Sequence, residues 1–206
     1  SRLMHTARIA ETLQAAVEKA IGSPKTAGPR GQQQVFVRIF DYQVTFSIDS
    51  SGDLLHRRGY RQMTTRAPLR ETLAAGILML LDWQADEPLS DPMCGTGSFV
   101  LEAAMLAAGR APGLERDFAF MGWPGYRGGL WRTLCEEARR QQRPVACSLS
   151  GADRDDGAIA AARANLARLG LEGKIHFDQR ELADSPRHVG TGLVVCNPPY
   201  GRRLVP

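Results

Sequence analysis

The chain is expected to fold as an α/β protein on a parallel sheet, and three observations carry that expectation. From residue 67 onward, short apolar runs alternate with stretches of helical periodicity. A glycine bend, DPMCGTGSF (91–99), joins the first run to the helix behind it. A later run, VACSLSGAD (145–153), ends on an acidic residue, where α/β sheets present ligand-binding groups at their carboxyl edge.

Taken in order, Ile9, Leu13, Val17 and Ile21 recur at helical spacing and predict a helix over about residues 3–21. GSPKTAGPRGQQQ (22–34) is loop-forming, being rich in glycine and proline. VFVRIF and QVTFSID alternate as two strands of a hairpin. This opening is too small to own a core. APLRETLAAGILMLLDW predicts the next helix, with Pro68 in its first turn and Leu69, Leu73, Ile77 and Leu80 as its apolar face. A strand into the glycine bend, a helix through VLEAAMLAAG and an irregular stretch (111–144) follow. VACSLSGAD is a strand, DDGAIAAARANLARLG a helix, and KIHFD and GLVVC two further strands.

Composition narrows the function classes. With 206 residues, 43% hydrophobic and 23% charged, the chain can bury a core, so wholesale disorder is not expected. The formal net charge is +4, and all but three of the 26 basic residues are arginine, whose planar fork suits phosphate and base contacts. The four cysteines form no C-x-x-C pair and have no histidine at ligand spacing, so no metal is expected; two of them, in apolar strand-like or turn contexts, read as reduced core thiols of a cytoplasmic protein. No apolar run approaches the roughly 18 residues of a membrane span, and no membrane partner is expected. The start, SRLMHTARIAETLQ, lacks a signal-peptide core, and its beginning on Ser-Arg without an initial Met suggests a piece of a longer protein.

Four stretches carry chemistry. In the bend, Gly95 and Gly97 allow close approach of a ligand, with Pro92 and Cys94 in the same loop. The third glycine of a dinucleotide loop is replaced by Val100, and Asp91 leads the loop. A carboxylate repels phosphate and attracts ammonium, so Asp91 fits the amino-acid end of S-adenosylmethionine. Asp153 can accept from both ribose hydroxyls of a nucleoside, or else cap the helix that Asp155 and Asp156 begin. After the third strand, Asp178, Glu181 and Asp184 could each accept from an adenine amine, and spacing does not choose among them. Finally, Asn197-Pro198-Pro199-Tyr200 follows an apolar strand. The prolines stiffen the turn. The Asn197 side-chain oxygen and the Pro198 carbonyl can accept the two hydrogens of an exocyclic amine, and Tyr200 can stack on its base. Arg57, Arg58 and Arg61, with Arg202 and Arg203 beyond the turn, read either as RNA-phosphate contacts or as solvated loop residues.

In this order the glycine loop, GADRDD and NPPYG resemble the class I S-adenosylmethionine-dependent methyltransferases of amino groups. SGDLLHRRGYR, APLRETLAAGILML, RAPGL and VVCNPPYGRRL narrow the resemblance to the bacterial large-subunit ribosomal RNA guanine-N2 methyltransferases, over about residues 35–204. The resemblance implies a Rossmann-like class I methyltransferase sheet, incomplete at its C-terminal side, preceded by a small α+β segment. It implies residues 1–57 as the C-terminal part of a THUMP-like RNA-binding module and linker. Residues 58–206 would then be the N-terminal part of the methyltransferase domain. It implies a cofactor site at Asp91, Pro92, Cys94, Gly95, Gly97 and Asp153, favours Glu181 for the adenine, and gives Asn197, Pro198, Pro199 and Tyr200 the target amine. The implied cofactor is S-adenosyl-L-methionine, the implied partner large-subunit ribosomal RNA and the implied role rRNA processing. The family's loop is more often CGSGT, a swap of small hydroxyl residues that keeps the backbone geometry. The same loop type serves adenine-N6 methylation of nucleic acid and glutamine-N5 methylation of protein. A non-catalytic RNA-binding fragment is the reading from another class. The missing third glycine disfavours hydride transfer.

Overall fold

A computed structural model of the chain describes residues 6–21, 33–61, 69–171, 173–185 and 191–199. Pro68, Tyr200, Arg202 and Arg203 lie outside the described residues. The chain divides into two compact units, Ser1–Gly52 and Asp53–Pro206.

The first unit holds helix α1 (Thr6–Ile21) and an antiparallel hairpin, β1 (Val35–Phe40) and β2 (Gln43–Ile48). Asp41 and Tyr42 close the hairpin with φ of 45° and 62°, the left-handed pair that matches the twist of two strands joined by a two-residue turn. No described residue of this unit is buried, so the hairpin's Phe36, Phe40 and Phe46 are exposed.

The second unit contains helix α2 (Glu71–Leu80), β3 (Leu89–Asp91), α3 (Ser98–Ala107), α4 (Gly128–Arg140), β4 (Val145–Asp153), α5 (Asp156–Leu169), β5 (Gly173–Gln179) and β6 (Leu193–Val194). Its four strands are all parallel, in the order β5-β4-β3-β6. The expected Rossmann-like α/β architecture, with a small antiparallel sheet before it, is therefore observed. β4 and β5 alternate: Val145, Cys147, Leu149, Ile175 and Phe177 face the core, whereas Ala146, Ser148, Lys174 and His176 are exposed. Along these two strands buried positions therefore alternate with exposed ones.

Two elements differ from expectation. The stretch 111–144 is not irregular throughout: α4 fills much of it, after a 3₁₀ turn at Ala119–Gly122. Gly128 and Gly129 obscure its start, and Cys135 is its only buried residue, so its apolar stripe is thin. In α2 the buried face is Glu71, Ala74, Ala75 and Leu78, whereas Leu73 and Leu80 are exposed. Small alanines let α2 approach α3 closely, and Glu71 goes inside because Arg61 meets it there. α5 behaves as expected, with Asp155 capping its start through the Ala158 amide and Gly170 ending it at φ 59°.

Candidate functional site

The glycine bend leaves the sheet at Asp91 and enters α3 at Ser98. Most of its amides are spent inside the protein. Met93 donates to Asp91 Oδ1 at 3.1 Å, Cys94 to the Ala152 carbonyl at 2.8 Å and Gly97 to the Cys94 carbonyl at 2.9 Å. Gly95 donates to Asp153 Oδ2 at 2.8 Å. A loop so committed, and flanked by two carboxylates, is a poor cradle for pyrophosphate. Gly95 sits at φ 54° with open space where a side chain would project, which leaves its backbone approachable. Gly97, at φ 85°, has no such room: an added Cβ would meet the Phe177 ring at 2.9 Å. A Cβ on Gly151 would meet the same ring at 2.7 Å and the Cys94 sulfur at 3.0 Å. Phe177 thus packs beneath the loop against two glycines, and buried Asn165 of α5 donates to the Thr96 carbonyl at 3.5 Å.

Two acidic groups flank the bend. Asp91 is only 2% exposed, and burial pushes its carboxyl up to about 7, with the Asp153 charge adding to the shift and the Met93 amide opposing it. A carboxyl in that state gains most from a cation beside it. Asp153 is half-buried at the end of β4, and its second oxygen accepts from the Asp155 amide at 3.0 Å. It does not cap α5; Asp155 does. Each Asp153 oxygen accepts one amide and retains a lone pair for a further donor.

Beyond β5, the Arg180 amide donates to the Asp153 carbonyl at 2.9 Å, which brings Glu181 to the same edge as Asp153. Asp178 is engaged, pairing with Arg180 at 3.2 Å. Glu181 is exposed, begins the 3₁₀ turn Leu182–Asp184 and makes no side-chain cap bond. On the other side, β6 runs beside β3, with Ser90 opposite Val194, and the Val195 amide donates to the Ser90 carbonyl at 3.0 Å. Paired strands lie roughly 4.8 Å apart, so the chain leaving β6 emerges beside the chain leaving β3. Asn197 is half-buried, Pro198 and Pro199 are exposed, and Tyr200 lies outside the described residues.

The arginine cluster requires correction. Arg57 is exposed and pairs with Asp53, but Arg58 and Arg61 are neither solvated nor open to phosphate. Arg58 meets Glu102 of α3 at 3.3 Å, and Arg61 meets Glu71 of α2 at 3.3 Å, all four side chains nearly buried. Tyr60 donates to the other Glu102 oxygen at 3.1 Å. Burial raises Glu102, and the Arg58 charge opposes the rise. Nothing in HRRGYR distinguishes a buried arginine from an exposed one. Glu102 in the apolar run of α3 was the available hint, since a carboxylate there needs a partner. Among the described residues no group of three or more histidine, cysteine or acidic side chains could hold a metal ion, and no helix is long and apolar enough to cross a membrane.

An α/β domain of the Rossmann-like class is thereby defined, its polar groups drawn to the carboxyl edge where such sheets take their ligands. The chain belongs to the RMKL-like methyltransferase domain family, whose profile matches residues 58–205. It is 39% identical over 194 residues to the ribosomal RNA large subunit methyltransferase K/L of Vibrio campbellii, covering 91% of this chain and 27% of that protein. Among solved structures, a methyltransferase complexed with SAH superposes with a TM-score of 0.84 at 33% identity, over 100% of this chain and 56% of that one. A predicted N6-adenine-specific DNA methylase of Listeria monocytogenes superposes with a TM-score of 0.80 at 34% identity, over 95% of this chain and 52% of that one. The chain therefore spans about a quarter of the K/L relative and about half of each solved chain.

Proposed function

We propose that this chain forms the cofactor-binding part of an S-adenosylmethionine-dependent methyltransferase acting on an exocyclic amine, guanine N2 of large-subunit ribosomal RNA. One observation carries the reading: Asp91, the Gly95 bend, Asp153 and the Asn197 turn leave adjacent parallel strands at one edge. The groups fit the cofactor. Asp91 is a buried carboxyl poised to meet an ammonium. Gly95 offers unobstructed backbone, and Asp153 retains acceptor capacity for ribose hydroxyls. Glu181, beside Asp153 and without a cap bond, serves the adenine amine. When bound, S-adenosylmethionine supplies a methyl group already activated by its sulfonium.

The residues of the chain orient and accept. The Asn197 side-chain oxygen and the Pro198 carbonyl take the two amine hydrogens, so the nitrogen lone pair turns away from the base ring. Pro198 and Pro199 stiffen that turn, lowering the cost of holding both acceptors in place. Tyr200 stacks on the base. Residues 1–57 are the end of a THUMP-like RNA-binding module and linker, and residues 58–206 begin the methyltransferase domain.

The guanine assignment rests on the motif set, and the K/L relative supports only the large-subunit ribosomal RNA substrate. The adenine-N6 alternative draws on the methylase relative. Mass spectrometry of nucleosides from rRNA treated with the full-length parent separates them: N2-methylguanosine is expected, and N6-methyladenosine would replace the assignment. In the same parent, Asn197→Ala is expected to bind cofactor normally and to lose methylation.

A further inference from the structure

We infer that Arg61 is a positioning residue for the cofactor loop, holding the loop's exit into α3 through Ser98; the inference rests on the cofactor reading above. The Arg61 guanidinium hydrogen-bonds two groups and forms an ion pair with a third. Nη2 donates to Ser98 Oγ at 2.5 Å, Nη1 to the Leu69 carbonyl at 3.0 Å, and Nε lies 3.3 Å from Glu71 Oε1. Ser98 Oγ in turn donates to the Leu69 carbonyl at 3.1 Å. All of this is inside the protein: the Arg61 and Glu71 side chains are 7% and 3% exposed, and Ser98 is 5% exposed.

Ser98 is the residue directly after Gly97, so the network grips the bend where it becomes helix. The bend has two glycines at positive φ, so its backbone is freer than most to change shape. Its form is set by its ties. Asp153 holds the middle through Gly95, and Arg61 with Ser98 holds the end. Arg58 and Tyr60 grip the same helix one turn later, at Glu102, away from the bend. The segment around residues 58–61 therefore makes two ties to α3, of which only the first bears on the loop.

The two ties separate experimentally. Lysine at position 61 keeps the charge that neutralises Glu71, but a single ammonium lacks the separate nitrogens through which the guanidinium bonds Leu69 and Ser98 while facing Glu71. Calorimetric titration of the 206-residue chain with SAH is the assay. Arg61→Lys and Ser98→Ala are each expected to raise Kd roughly tenfold, and the double variant to lose little more than either alone. Arg58→Lys is expected to lower the melting temperature while leaving Kd within about twofold of wild type. In the full-length parent, Arg61→Lys is expected to raise KM for S-adenosylmethionine with kcat little changed, a split that mere loss of folded protein would not give. Wild-type affinity in both Arg61→Lys and Ser98→Ala overturns the inference while leaving the cofactor reading intact, as does an equal loss in Arg58→Lys. A wild-type chain that binds no SAH, and a parent that binds none either, overturn both. Should Arg61→Lys fail to fold, Ser98→Ala alone decides, since it leaves the Glu71 ion pair in place.

Discussion

Asp91 sets the pH behaviour of the site. Burial lifts its carboxyl to about 7, so between about pH 4 and pH 7 the folded chain keeps a proton that the unfolded chain has released. Stability from this group is fully present below the unfolded value and is lost as pH rises through 7. Urea unfolding at a series of pH values is expected to show that decline in the wild type and its absence in Asp91→Asn. Ligand affinity runs the other way, because an ammonium needs the ionised carboxylate. SAH binding is expected to tighten as pH rises toward 7, by up to about tenfold per pH unit below it, with proton release visible as buffer-dependent heat in calorimetry. At Asp153 two backbone amides converge, one from the loop and one from the start of α5. Asp153→Ala is therefore expected to weaken SAH binding sharply, since it removes both the proposed ribose acceptor and the tie on Gly95. Equal affinity in that variant would remove the ribose assignment.

Among the elements, β5 supports the bend from below. Phe177 fills the space that side chains at Gly97 and Gly151 would need, with clearances of 2.9 and 2.7 Å. Gly151 has ordinary β-strand geometry, so Gly151→Ala tests packing alone: a loss of about 1–3 kcal/mol is expected in urea unfolding. Leu78 and Leu80 of α2 make a paired test of which face is inward. Leu78 is fully buried and Leu80 is 88% exposed. Leu78→Ala is expected to cost about 2–5 kcal/mol, whereas Leu80→Ala should stay within about 0.5 kcal/mol. The period of this helix was legible in its leucines but its phase was not. Leu69, Leu73, Ile77 and Leu80 describe one stripe, and Glu71, Ala74, Ala75 and Leu78 describe another with equal regularity. Hydrophobicity favours the first, and packing on α3 with the Arg61 ion pair buries the second while keeping only Leu69 and Ile77 of the first against the core.

Across the whole molecule, every member of the buried core cluster lies between Tyr60 and Val195. A chain lacking residues 1–52 is accordingly expected to fold by itself with one cooperative transition and to bind SAH, measured by thermal melting and calorimetry. Along β4 and β5 buried positions alternate with exposed ones. The exposed positions carry Ser148, Lys174 and His176, so the strands read as alternating rather than continuously apolar. β4 and β5 were placed as strands by their runs between helices, but their neighbours in the sheet became known only from the pairing.

The sequence by itself determined the alternation of strands and helices apart from α4, the glycine bend, the acidic residues that end β3 and β4, and the proline turn. These are local: periodicity, turn chemistry and residue type act over a few positions. Tertiary structure alone decided that Arg58 and Arg61 are buried counterions, that Phe177 seats the bend, and that Asp153 is tied to Gly95 across 58 positions of chain. Burial and pairing depend on which segments meet, and a charged side chain looks the same in sequence whether water or a carboxylate will surround it.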